Sequence, residues 1–171
     1  MTPWEALEEV VARRVLDDAV RVSEALTTLG VPHALVGGLA VGLHGHPRAT
    51  KDVDFIVGSE AFATTSPLLS FRDELTEIVR WGVVDLIAAL PDDPPLAAEL
   101  VRGTHGQVPV VGIEVLVLMK LRASRSQDVA DVEALVRAGA DVAATLAFLR
   151  AYEPRHIPAF ARIAQRALTS P

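Results

Sequence analysis

The stretch from Val36 to Val57, VGGLAVGLHGHPRATKDVDFIV, gathers residues able to do chemistry together. Gly37 and Gly38 follow a short apolar run. Fourteen positions after Gly38 stands Asp52, with Asp54 two residues further on. Glycine lets a backbone approach a phosphate closely, and a helix start offers unpaired N–H groups to an anion. Two carboxylates at i and i+2 of a strand share one face, about 7 Å apart, and repel each other. A divalent cation relieves that repulsion, and Mg²⁺ takes carboxylate, phosphate and water oxygens as ligands. Chemistry that needs a phosphate cradle and a metal together is phosphoryl or nucleotidyl transfer. Alone, an Asp-x-Asp most often marks a solvated strand edge, and a Gly-Gly pair a plain turn. Side by side, each supplies what the other lacks.

A third acid is available. Asp85 lies in Val83-Val84-Asp85-Leu86-Ile87, an apolar strand in which a carboxylate is costly unless paired or metal-bound. Brought beside Asp52 and Asp54, it makes a set of three carboxylates able to hold two cations about 3.5–4 Å apart. Asp85 is also a candidate general base. The basic residues are unevenly chosen, fourteen arginines against Lys51 and Lys120. Lysine offers a compact point charge suited to phosphate. Arg48 and Lys51 flank the acidic strand and are candidates for binding phosphate or acceptor. Lys120, Arg122 and Arg125 form a candidate basic strip. His44 reads as a packing residue at a helix end, and neither His44 nor His46 belongs to a cluster with zinc-ligand spacing.

Thr2, Pro3 and Glu5 start a helix expected over about 3–29, stopped by Gly30. A strand at 33–36, a helix at about 39–45 and a strand at 51–57 surround the motif. Ser59 caps a short helix over 60–64. Thr76 to Arg80 and Val83 to Ala88 read as two strands joined at Trp81-Gly82, and Val108 to Val111 as a last short strand. Pro91 to Pro95 is a loop. Beyond Gly112 four helices are expected, at about 114–124, 127–138 and 141–152 and after Pro158. The expected organisation is an α/β core over 1–112, with the N-terminal helix, and a helical region over 113–171 packed on it.

The chain has 171 residues and is 50% hydrophobic, enough for one sizeable core. Its net charge of −6 argues against a broad nucleic-acid-binding face. Cysteine is absent, which excludes disulfides and thiolate metal sites. No apolar run reaches the roughly 18 residues that span a bilayer, and the N-terminal segment is acidic and amphipathic. The expectation is a soluble cytoplasmic protein that does not engage membranes.

The string GG-L-A-V-x₂-H-G-x-x-R-x-T-x-D-V-D resembles the DNA polymerase β-like nucleotidyltransferase superfamily, and within it the small AbiEii-type nucleotidyltransferases, many of them toxins of toxin–antitoxin pairs. The superfamily pattern is matched by Gly37-Gly38, Asp52-x-Asp54 and Asp85. Arg48, Thr50, Asp52 and Asp54 match its Arg-x-Thr-x-Asp-x-Asp form. Glu114 and Lys120 match an acid followed six residues later by lysine, and Asp128 and Asp131 an acidic helix start. The resemblance covers about residues 33–135. It implies an α+β fold, a mixed sheet flanked by helices and followed by a C-terminal helical bundle. It implies an enzyme that moves NMP from an NTP to a hydroxyl and releases pyrophosphate. Gly37, Gly38, Arg48, Lys51 and Lys120 then serve the nucleotide, and Asp52, Asp54 and Asp85 hold two Mg²⁺, with Mn²⁺ as an alternative. The acceptor is an RNA 3′ end, a protein or a small molecule such as an antibiotic, and an antitoxin protein is an expected partner. The competing class is a catalytically silent module of this fold that binds a nucleotide or a partner.

Overall fold

Alternation along three strands decides the layering. The computed structural model describes residues 1–63, 70–80 and 84–169. In β1 (His33–Val36) Leu35 faces one side of the sheet, while Ala34 and Val36 face the other. In β2 (Val53–Val57) the first side takes Val53, Phe55 and Val57, and the second takes Ile56. In β3 (Val84–Ala88) Val84 and Leu86 belong to the first side, so Asp85 and Ile87 point to the second. The sheet order is β1-β2-β3, with β1 and β2 antiparallel and β2 and β3 parallel. Val36 lies opposite Asp54, and Asp54 opposite Asp85.

Each face carries its own core. The first is covered by α1 (Pro3–Glu8), α2 (Arg13–Thr28) and α4 (Asp73–Arg80), which bring in Leu7, Leu26 and Leu75. The second is covered by α6 (Ile113–Ala123), α7 (Ser126–Arg137), α8 (Val142–Tyr152) and α9 (Ile157–Thr169), through Leu116, Leu135, Leu149 and Phe160. Between them, α3 (Gly37–Leu43) gives Leu39 to the first core and Ala40 and Val41 to the second. A short α5 (Pro94–Ala97) begins inside the segment expected as a loop and runs past its end. The fold is mixed α+β. Among the described residues no helix is long and apolar enough to cross a membrane.

Several expectations change. The helix expected over 3–29 is two helices. Thr2 and Glu5 form the capping box of α1, but the chain unwinds after Glu8 and restarts at Arg13. Leu7 is fully buried and docks where Gly42 of α3 lacks a side chain; a Cβ there would collide with it. That docking sets the direction of α1 independently of α2, and the β-branched pair Val10-Val11 sits at the break. Thr76 to Arg80 is helical, not a strand. Leu75 and Ile78, three apart, are both buried against the first face, a helical spacing that overrides the local β-like composition. The turn expected at Trp81-Gly82 lies outside the described residues. The parallel pairing of β3 with β2 fits this helix, because parallel strands need a crossover. Val108 to Val111 makes only an isolated bridge from Val110 to Leu35, flanked by bonds of Leu35 with Pro109 and Val111. The C-terminal helices fall close to the expected spans, with Asp141 capping α8 through Ala144 N–H at 2.9 Å.

Because α1 braces the helix that begins with the two glycines, Leu7→Ala should destabilise the protein by about 3 kcal/mol, the scale of a buried Leu truncation. Urea denaturation measures this, and a change within error would mean α1 does not brace α3.

Candidate functional site

β1 passes into α3 with no spacer, because Gly37 adopts φ +68, a backbone that L side chains disfavour. The turn presses the backbone against Asp54. A Cβ at position 37 would lie 2.7 Å from the Asp54 carboxyl carbon and nearer still to Oδ2. At Gly38 a Cβ would lie 2.8 Å from Thr50 Oγ1 and 3.3 Å from Arg48 Nη2. The pair is therefore required by β2 itself, through Asp54, and by the segment leading into it, through Thr50 and Arg48. Val36, at the cap position, gives no side-chain hydrogen bond to the first turn of α3.

The acids meet on the second face of the sheet. Asp54 and Asp85 are cross-strand partners, which puts their backbones about 4.8 Å apart. Asp52 precedes β2 and is exposed, as is Asp85, while Asp54 is half-buried. Burial pushes the Asp54 carboxyl up to about 6. Repulsion from Asp85 and Asp52 adds to this, and Lys120 and Arg125 oppose it. One cleft of about 470 Å³ joins these groups. Gly37 and Gly38 form one end and Asp52, Asp54 and Asp85 the acidic wall. Arg48, beside Gly38, lines it together with Lys120 and Arg125. The stripe Leu116, Met119, Lys120 and Ala123 is a single face of α6 by its spacing.

The cationic wall is tied together by two buried carboxylates. Arg48 grips Asp131 with two bonds, Nε to Oδ1 at 2.7 Å and Nη2 to Oδ2 at 2.8 Å. The Lys120 ammonium lies 2.8 Å from Asp131 Oδ2 and 3.1 Å from Asp128 Oδ1. Gln127 adds a bond to Asp131 at 2.9 Å, and Arg125 Nε one to Asp128 at 2.7 Å. Burial alone would raise the Asp128 carboxyl, but bonds from Arg125 and Lys120 hold it below its ordinary range. Burial likewise opposes ionisation of Asp131, and Arg48, Lys120 and Gln127 outweigh it. The network joins the segment before β2 to α6 and α7.

Metal fit follows from the donor set. Asp52, Asp54, Asp85, Asp128 and Asp131 face Arg48, Lys120 and Arg125, an excess of two negative charges. Hard oxygen donors in that excess suit Mg²⁺ or Mn²⁺. Among the described residues no three acid or histidine side chains already converge as a closed metal-binding group. The three acids line an open cleft, where a ligand's own oxygens would complete the shell.

Of the residues expected at the site, Gly37, Gly38, Arg48, Asp52, Asp54, Asp85 and Lys120 share the cleft. Lys51 is exposed and not part of its lining. Lys120 is 7% exposed and committed to two carboxylates, so it is a structural cation before it is a phosphate ligand. The expected strip of Lys120, Arg122 and Arg125 is split. Arg122 turns into a separate cleft, held by both oxygens of Asp93 and by Glu153. Glu114 lies in the first turn of α6, at the opposite end from Lys120. His44 bonds the Val111 carbonyl at 2.7 Å, a packing role as expected. Sequence reasoning missed Ile87, Met119 and Gln127. The signals were available as the i, i+2 spacing from Asp85 to Ile87 and the helical stripe on α6. No protein-family model matches the chain, and no curated protein matches its sequence.

Two outcomes follow. Lys120→Met leaves two buried carboxylates short of a cation and should destabilise the fold by about 3 kcal/mol at neutral pH, read by denaturant unfolding. Unchanged stability would show that Arg48 and Arg125 suffice. Asp54 has a raised acid pKa in the folded state, so folding favours its neutral form. The penalty is absent below about pH 4, grows as pH rises and is full above about pH 6. Without added metal, Asp54→Asn should therefore stabilise the protein at pH 7.5, on the order of 2 kcal/mol, and not at pH 4. A gain of equal size at both pH values would contradict the charge origin.

Proposed function

We propose that this chain is a metal-dependent nucleotidyltransferase of the polymerase β-like kind that its sequence resembles, working on an NTP and a hydroxyl acceptor. The observation that carries the reading is the meeting of Gly37-Gly38 with Asp52, Asp54 and Asp85 in one cleft, where the Asp54 carboxyl is pushed up to about 6. A site that holds three mutually repelling acids at its mouth is suited to a divalent cation. NTPs and Mg²⁺ are cytoplasmic, so a cytoplasmic location belongs to the same proposal.

In this reading Asp52, Asp54 and Asp85 hold Mg²⁺. A cation held by them would supply a lowered pKa to the attacking hydroxyl and charge neutralisation to the leaving pyrophosphate. The side chains do the rest. Gly37 and Gly38 bring the start of α3 to the end of the cleft where the triphosphate would lie. Arg125, whose side chain is 76% exposed while Nε is tied to Asp128, presents a positioned guanidinium to phosphate oxygens. Arg48 and Lys120 keep their wall of the cleft positive through Asp131 and Asp128. Asp85, exposed at the cleft, accepts the proton of the hydroxyl as it attacks the α-phosphorus and pyrophosphate departs.

The test uses each α-labelled NTP with Mg²⁺ or Mn²⁺ and a cell lysate as acceptor source. Label should move to an acceptor with release of pyrophosphate. Asp52→Asn and Asp54→Asn should each reduce transfer at least about a hundredfold while keeping the fold. Full transfer in both variants would remove the metal-site assignment. Mg²⁺-dependent NTP binding without transfer to any acceptor would favour the silent binding module.

A further inference from the structure

The cleft has a third kind of lining that the nucleotide reading leaves unused. Ile87 follows Asp85 on the same face of β3 and is 38% exposed. Its register partner Ile56 on β2 is fully buried. An isoleucine left open beside three carboxylates wants an apolar cover. Met119 and Ala123, one helical turn apart on α6, line the same cleft. With Leu116 they form an apolar shelf contributed by β3 and α6, while Val36 lines the glycine end.

Sheet order says what the shelf is for, given the nucleotidyl-transfer reading on which this step rests. Gly37 leaves the end of β1, Asp54 is on β2 and Asp85 and Ile87 are on β3. The triphosphate side and the shelf thus lie on opposite flanks of Asp54. Displacement at phosphorus is in line, with nucleophile and leaving group on opposite sides. With pyrophosphate leaving toward the glycines, the attacking hydroxyl enters from the β3 side, over Ile87.

We propose that Ile87, with Met119 and Ala123, is the acceptor platform, and that it selects a hydroxyl carried on a flat uncharged ring, a tyrosine phenol of a protein. A ring lies well on branched aliphatic carbon, and a thioether adds a favourable sulfur–aromatic contact. A polyanionic strand is disfavoured there. Asp52 and Asp85 are exposed in the same cleft, Arg125 is taken by the triphosphate in this reading, and Arg122 is engaged by Asp93 and Glu153 in a separate cleft. The step balances. The phenolic oxygen forms a bond to the α-phosphorus, the bond from that phosphorus to the bridging oxygen breaks, pyrophosphate leaves, and the phenolic proton passes to Asp85. The product is a tyrosyl nucleotide phosphodiester.

The experiment pairs binding with transfer. N-acetyl-tyrosinamide, N-acetyl-serinamide and total RNA are offered separately with α-labelled NTPs and Mg²⁺, and binding of a nonhydrolysable NTP is measured by calorimetry. The phenol should be labelled at least about tenfold faster than either alternative. Ile87→Asn should keep NTP·Mg²⁺ affinity and melting temperature while lowering kcat/KM for the phenol about tenfold or more. Three outcomes overturn the proposal: preferential labelling of RNA or of the serine amide, unchanged phenol kinetics in Ile87→Asn, or an equal loss of NTP affinity. If the wild-type protein binds no triphosphate with Mg²⁺, the nucleotidyl-transfer reading itself fails, an outcome distinct from those three.

Discussion

One ammonium between two buried carboxylates sets the shape of the cleft. Lys120 is seated against Asp128 and Asp131, which are 1% and 0% exposed. Neither acid tolerates that burial alone, and each recruits a second cation, Arg125 for one and Arg48 for the other. Arg48 belongs to the segment that enters β2, so the pairing fixes where the acidic strand begins. Arg125 belongs to the turn between α6 and α7, so it fixes the opposite wall. A network whose members are all partnered is rigid, and a rigid wall holds a preorganised field.

Against that wall the sheet sets its acids by geometry alone. The antiparallel register puts Val36 beside Asp54, and the parallel register puts Asp85 on the other side. The chain turns into α3 so near Asp54 that only glycine fits at position 37. Charge then does the selecting. The carboxylates outnumber the cations around the cleft, and Asp54, half-buried among its neighbours, holds its proton up to about 6. A divalent cation would offset both the repulsion and the burial penalty, and this supports the proposal of a metal-bound phosphate ligand.

Much of this was legible in the chain because it is local. The glycines and the Asp-x-Asp lie within one short segment, and alternation alone aims Asp52 and Asp54 at one face. Asp85 stood out as a carboxylate among apolar neighbours. Long-range pairing was not legible. The composition of Thr76 to Arg80 suits a strand, yet burial of Leu75 and Ile78 on the sheet makes it a helix. Lys120 attracted notice as a rare lysine, but its partners sit on the next helix, beyond any spacing rule. Arg122, two residues later, points elsewhere because two steps on a helix turn about 200°. The apolar shelf went unseen because single apolar residues carry no signal until a fold sets them beside charges.

The central claim is a site that binds cation and triphosphate together, and counting bound metal tests it most directly. Mn²⁺ titrated into the protein with a nonhydrolysable NTP, and followed by electron paramagnetic resonance, should show two bound ions per chain and fewer in Asp54→Asn. Mn²⁺ uptake that is independent of the nucleotide, or identical in the Asp54→Asn protein, would contradict the account.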